Sequence, residues 1–265
     1  MSSRRSTSPR RARRHNRRRH YRVDWLRLIL SICIVAVLGI AVYGAFTSPR
    51  FYVTTIQVEG NRTIPQGDVI ARMRLDPTTN IFLLNKPEIC GRIETNKVVK
   101  EVRLYRRFPE TIIVRLTERE PFVLLNSGKG MFEVDASGIP FRIVKTAANN
   151  LPIISYATPF SPILGRPLDL PTFKGAMESI RLCGTYGLPG VSKITVDQYN
   201  ELCLNVRDRF QVKLGPPDQL SVKIKNAAAV TNRRPELGRN IEYIDASCPD
   251  VPALKLKDNT DSSGR

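Results

Sequence analysis

Val98-Val-Lys-Glu-Val-Arg-Leu-Tyr-Arg-Arg-Phe-Pro-Glu-Thr-Ile-Ile-Val-Arg-Leu-Thr-Glu-Arg-Glu-Pro121 alternates, turns and alternates again. In its first half Val102 and Leu104 fall on one face, and Arg103, Tyr105 and Arg107 on the other. Side chains of a strand alternate between the two faces of a sheet, so the pattern predicts a strand over 98–106 with one wet side. Over 111–118, Ile112, Val114 and Leu116 point inward, and Ile113, Arg115 and Thr117 outward. Arg107-Phe108-Pro109-Glu110 makes the turn between the two strands.

Upstream, residues 51–59 are rich in β-branched and aromatic side chains and stop at Gly60-Asn61, which predicts a strand. Thr63-Ile64-Pro65 starts a helix with the proline inside its first turn. Val69, Ile70 and Met73 form its apolar stripe, and Asp76-Pro77 ends it. A second helix is expected over 86–95, where Ile89 and Ile93 lie four apart, with Ile81–Leu84 filling the core before it. The order β-α-α-β-β suits a small α+β unit with two helices on one sheet face.

Further upstream, residues 28–46 carry no charge, and eleven of them are Leu, Ile, Val or Phe. A helix of this length can cross a ~30 Å hydrocarbon core. At roughly −0.3 to −0.6 kcal/mol per residue, insertion gains about 3–6 kcal/mol. Eleven arginines and one acid, Asp24, precede the span and supply much of the chain's net charge of +18. The bias of basic residues toward the cytoplasm puts this end inside and the bulk of the chain on the far side. Trp25 and Tyr21 at one end, and Tyr43 at the other, are placed as interfacial aromatics. A cleaved signal peptide is disfavoured, because the apolar run is long and no Ala-x-Ala site ends it. Nucleic-acid binding by the arginine tail is disfavoured too, because no aromatic residue for base stacking is interleaved before Tyr21.

Downstream, short strands are predicted over 122–125, 131–134 and 139–144, with glycine turns between them. A helix over 172–186 uses Phe173, Met177, Ile180 and Leu182, and breaks between Gly187 and Gly190. Three consecutive strands follow over 191–197, 201–206 and 210–214. Asp218 caps a helix to about residue 232, with Leu220, Ile224 and Ala227 or Ala228 inward. Ile241, Tyr243 and Ala246 belong to a last strand.

Both histidines, His15 and His20, precede the span, so the rest of the chain lacks an imidazole for a Ser-His-Asp triad, a Cys-His pair or a His-based zinc site. There is no Gly-x-Ser-x-Gly elbow and no phosphate-binding Gly-rich loop with Lys. No catalytic, cofactor or metal residue is assigned. Asp135, Asp169, Asp197 and Asp245 are the candidates for a carboxylate-dependent glycan hydrolase, the competing reading. Aspartates at turns are more often local hydrogen-bond acceptors. Of the five cysteines, Cys33 is in the span, and Cys90, Cys183, Cys203 and Cys248 are irregularly spaced. Free buried thiols are the ordinary reading; were one bridge to form, Cys183–Cys203 is the expected pair, from helix to strand.

The blocks Val58-Glu-Gly-Asn-Arg-Thr-Ile-Pro65, Asn80-Ile-Phe-Leu-Leu-Asn85 and 98–121 together resemble the polypeptide-transport-associated (POTRA) domain, in the form found in the FtsQ/DivIB family of bacterial cell-division proteins. Phe132-Glu-Val-Asp-Ala-Ser-Gly-Ile-Pro-Phe141 is similar to the family's Asp-x-x-Gly turn, through Asp135 and Gly138, and Arg239–Ser247 places Asp245 at its Ile-Asp position. The resemblance implies an α+β protein. It has a basic cytoplasmic tail (1–27), a single transmembrane helix (28–48), a POTRA domain (51–121), a mostly antiparallel β domain with two helices (122–257) and a polar tail (258–265). It implies a noncatalytic, septum-enriched scaffold of the inner membrane that receives an FtsB-like protein, itself paired with an FtsL-like one, by strand addition. The receiving segment is Ala253, Leu254, Lys255 and Leu256, with Tyr243 beside it. Pro249 and Pro252 depart from the family's pattern there and remove two backbone donors. Arg103, Tyr105 and Arg107 form a second candidate partner face, or a solvated face covered in part by the neighbouring domain. A POTRA-bearing translocation component is the remaining alternative; such proteins usually carry several POTRA units and a membrane barrel.

Overall fold

Trp25–Thr47 forms α1, a helix of 23 residues with no buried side chain. It begins three residues before the expected Leu28. Its hydroxyls are hidden by back-bonding: Ser31 Oγ donates to the Arg27 carbonyl and Thr47 Oγ1 to the Tyr43 carbonyl, both at 2.8 Å. The computed structural model describes residues 24–146, 150–188, 190–207, 209–233 and 240–257. His15, His20, Tyr21 and most of the basic tail, and the polar tail 258–265, lie outside the described residues.

After a single 3-10 turn at Pro49–Phe51, β1 runs over Thr55–Glu59, shorter than the strand predicted from residue 51. Phe51 and Val53 are taken up by a different partner. The Phe51 carbonyl accepts from Ile81 N–H at 2.8 Å, and Val53 N–H donates to the Thr79 carbonyl at 3.0 Å. α2 (Gln66–Met73) starts later than predicted, with Pro65 as its extended N-cap rather than inside the first turn. The reason lies far along the chain: the Glu118 carboxylate takes the N–H groups of Arg62, Thr63 and Ile64 at 2.8–3.0 Å, so these donors are satisfied outside a helix. Arg74, in the left-handed region at φ 49°, ends α2 before Asp76-Pro77 is reached.

α3 (Lys86–Glu94), β2 (Val99–Arg107) and β3 (Thr111–Glu118) complete the first unit. Its sheet has the order β1-β3-β2, with β1 parallel and β2 antiparallel to β3. Met73, Ile89 and Ile93 from the helices bury against Val102, Leu104, Ile112, Val114 and Leu116.

The second sheet has nine strands in the order β12-β11-β10-β9-β8-β7-β4-β5-β6. They are β4 (Pro121–Asn126), β5 (Met131–Asp135), β6 (Pro140–Val144), β7 (Ile153–Tyr156), β8 (Val191–Val196), β9 (Leu202–Val206), β10 (Phe210–Gly215), β11 (Ile241–Asp245) and β12 (Ala253–Leu256). Five of its eight neighbouring pairs are antiparallel, so the sheet is mostly antiparallel as expected. The unpredicted strand is β7, which joins the two halves by parallel pairing with β4 and with β8. α4 (Pro171–Tyr186) and α5 (Leu220–Arg233) pack beside each other over one face. Phe173, Met177 and Ile224, with both Ala227 and Ala228, join Leu202, Leu204 and Val212 in one core.

The Cys183–Cys203 bridge does not form; all five cysteines are free. Cys183 is buried on the core side of α4, where desolvation pushes its thiol up to about 12. Cys203 alternates with Leu202 and Leu204, which face that core, so it points to the other side of the sheet.

Candidate partner-docking edge

The end of the nine-stranded sheet is built from three strands distant in sequence. β11 lies parallel to β10, with Gln211 opposite Tyr243, Val212 opposite Ile244 and Lys213 opposite Asp245. Ile241, Ile244 and Ala246 bury in the helix-covered core. Tyr243 stays on the open face, with Lys213 Nζ 4.1 Å and Lys255 Nζ 5.7 Å from its ring centroid. Two ammonium groups near one aromatic ring hold it by cation–π attraction. Lys255 Nζ also pairs with Glu242 at 2.9 Å. A cavity of about 440 Å³ beside this strip is lined by Asn205, Arg209, Gln211, Glu242 and Tyr243, among others.

β12 runs antiparallel to β11 and is the last strand of the sheet among the described residues. The link before it turns at Asp245, whose Oδ1 accepts from Ser247 Oγ at 2.5 Å and Ser247 N–H at 3.0 Å. These bonds, with Lys213 nearby, hold the Asp245 carboxyl below its usual range. Pro249 and Pro252 both precede Ala253, so neither removes a donor from the edge strand. The Pro249 carbonyl instead accepts from Asn226 Nδ2 at 2.6 Å, which ties the link to α5. At the far end, Lys257 N–H donates to the Asn240 carbonyl at 2.7 Å. In an antiparallel pair, residues turn their backbone groups alternately toward and away from the partner. Counting back from Lys257, Leu256 and Leu254 turn their N–H and C=O outward. The Leu254 side chain packs against the core, while Leu256 is 42 % exposed.

The predicted residues thus fall into two groups. Tyr243 and Ala253–Leu256 meet on the β11–β12 pair. Arg103, Tyr105 and Arg107 lie on β2, in the other sheet, and all three are exposed among the described residues. Arg103 pairs with Glu101 at 2.6 Å, and Arg115 lies over the Tyr105 ring, 5.6 Å from its centroid. Lys213, Glu242 and Gln211 were missed as part of the edge. Lys213 reaches Tyr243 only through a parallel pairing across 30 positions, which leaves no local pattern.

The FtsQ-type POTRA domain model matches residues 51–119. The chain is 29 % identical over 228 residues to the cell division protein FtsQ of Syntrophotalea carbinolica, covering 84 % of this chain and 80 % of the relative. It is 27 % identical over 230 residues to the cell division protein DivIB of Clostridium acetobutylicum, covering 85 % and 89 %. The likeness therefore extends far beyond 51–119 into the second sheet.

The chain is similar to FtsQ and DivIB proteins along most of its length. The FtsQ of Mycobacterium tuberculosis is also similar, at 24 % identity over 234 residues, 88 % of this chain and 70 % of that one. These relatives are named as cell division proteins. The chain's α1, whose most apolar 18 residues have a mean hydropathy of 2.6, is long and apolar enough to cross a membrane, which fits a single-pass membrane protein.

Proposed function

We propose that this protein is a member of the FtsQ/DivIB family, a noncatalytic, membrane-anchored scaffold of the division machinery, enriched at the septum. Its basic tail is cytoplasmic and its folded body lies outside the cytoplasm. It docks an FtsB-like partner, with an FtsL-like one, by strand addition to β12, and so links assembly to septal peptidoglycan synthesis. The observation that carries the reading is the outer edge of β12, the last strand of its sheet among the described residues, where Leu254 and Leu256 turn backbone groups outward beside an exposed Leu256 side chain. Each backbone bond an added strand makes contributes roughly 0.5–1.5 kcal/mol net, which suits reversible assembly. Local use of the four aspartates supports a noncatalytic reading. Asp135 pairs with Arg119, Asp169 with Lys174, and Asp197 and Asp245 accept backbone N–H groups in turns.

Crosslinking in dividing cells tests this, with a photoreactive residue at Lys255 of the full chain. The expected product is an adduct with the FtsB-like protein that is lost in Leu256→Pro, which deletes an outward donor. Leu256→Pro with undiminished capture would show that the edge is not the site. Release of glycan fragments from peptidoglycan by the purified full chain would overturn the noncatalytic reading.

A further inference from the structure

Where α1 ends, the folded body makes a side-chain lock on it. Asn80, nearly fully buried, donates through Nδ2 to the carbonyls of Ala45 and Phe46, both at 3.0 Å, and its Oδ1 accepts from Phe82 N–H at 2.9 Å. The last-turn carbonyls of a helix have no partner of their own, so this is a cap supplied by a distant loop. Phe82 then continues the contact. Its ring centroid is 5.8 Å from that of Phe46, 5.2 Å from Phe51 and 5.1 Å from Phe108. Arg106 ties the same loop to the end of β2 by donating to the Leu84 carbonyl at 2.8 Å. The loop 80–84 and the β2–β3 turn are therefore held as one piece against the end of the span.

This piece exposes apolar groups. Leu83 is 64 % exposed and Phe108 56 %, with Phe46 beside them. Exposed Arg50 and Arg107 flank the patch, and Glu110 is the acid in the same turn. At 1.5 Å per residue α1 is about 34 Å long, slightly more than a ~30 Å hydrocarbon core, so its end emerges at headgroup level. We propose that Leu83 and Phe108 rest in the lipid interface of the leaflet nearest the folded body, with Arg50 and Arg107 against phospholipid phosphates. Apolar and aromatic side chains rimmed by guanidinium groups fit that boundary. This sets the tilt of the first sheet relative to the membrane and assigns Arg107 to lipid rather than to a protein partner. It rests on α1 crossing the bilayer.

Trp25 is the chain's single tryptophan and reports that premise. The full chain is reconstituted in phosphatidylcholine–phosphatidylglycerol vesicles that contain a lipid nitroxide-labelled near the headgroup. The native chain is compared with Trp25→Phe variants carrying Phe108→Trp, Leu83→Trp or, as a control, Ile163→Trp at an exposed site beyond the foot. The expected result is several-fold stronger lipid quenching at positions 108 and 83 than at 163, and the reverse order with aqueous acrylamide. Quenching of Trp25 with positions 108 and 83 behaving like 163 overturns the interfacial foot and leaves the anchor standing. Absence of quenching at Trp25 removes the anchor and the foot together. Combined Arg50→Gln and Arg107→Gln reduces quenching at position 108; an unchanged signal overturns the phosphate contact.

Discussion

Arg119 Nη1 lies 2.5 Å from Asp135 Oδ2, and this buried ion pair joins the end of the first sheet to the second. Asp135 serves two purposes at once. Its Oδ1 accepts from Ser137 and Ile139 N–H at 2.9 and 3.0 Å, which closes the β5–β6 turn. Arg142 adds a second tie across the junction by donating through Nη2 to Thr63 Oγ1 at 3.1 Å, while it pairs with Glu133 at 3.2 Å.

Removing one partner of a buried pair strands the other charge. Arg119→Ala is expected to destabilise the protein by about 3–5 kcal/mol. Asp135→Asn keeps the turn acceptor and is expected to cost less than Asp135→Ala. Urea denaturation of the detergent-solubilised full chain measures both. Equal losses for the two Asp135 variants would show that the turn bonds carry little.

Glu118 predicts the acid limb of stability. Burial alone pushes its carboxyl up, but the Thr63 hydroxyl and the N–H groups of Arg62, Ile64 and Thr63 outweigh it and leave the group below its usual range. A carboxyl whose folded pKa is depressed stabilises fully above its unfolded value, about 4.3, and that contribution is lost as pH falls through the lowered value. Thermal melts over acid pH are expected to show a shallower decline in Glu118→Gln than in the native chain. Parallel curves would dismiss the carboxylate's role.

Gly60 separates β1 from the Glu118-bound segment with φ 84°, and a Cβ there would clash with the Leu116 carbonyl oxygen. A side chain is strained by the dihedral and blocked by the backbone of β3. Gly60→Ala is expected to cost at least about 1–3 kcal/mol. A melting temperature within error of the native chain's would contradict this.

The thiols are expected to differ in reactivity. Cys248 is exposed, whereas Cys183 is buried with its thiol pushed up to about 12, and burial also raises Cys203. Only the thiolate attacks a maleimide. Mass spectrometry of the labelled native chain should find Cys248 modified first and Cys183 only after unfolding. Early modification of Cys183 would mean that α4 opens readily.

Much of the first unit was legible because its signals are local. Val102, Leu104, Ile112, Val114 and Leu116 alternate within two adjacent strands, and all five are buried. The late starts of α2 and of β1 were not legible. Glu118 and Thr79, which decide those boundaries, lie far along the chain from one of the segments or across a loop from the other. At the docking edge, the strand Ala253–Leu256 matched the expected segment, yet the harmlessness of Pro249 and Pro252 followed only from where the link ends.

Sequence alone determined that one apolar helix leads into an α+β unit with two helices on one sheet face, because periodicity and charge act between near neighbours. Tertiary structure alone decided that β7 stitches the second sheet together, that two lysines flank Tyr243 and that Asn80 caps α1. Each of these depends on backbones brought together from distant parts of the chain, and such a pairing has no periodicity to announce it.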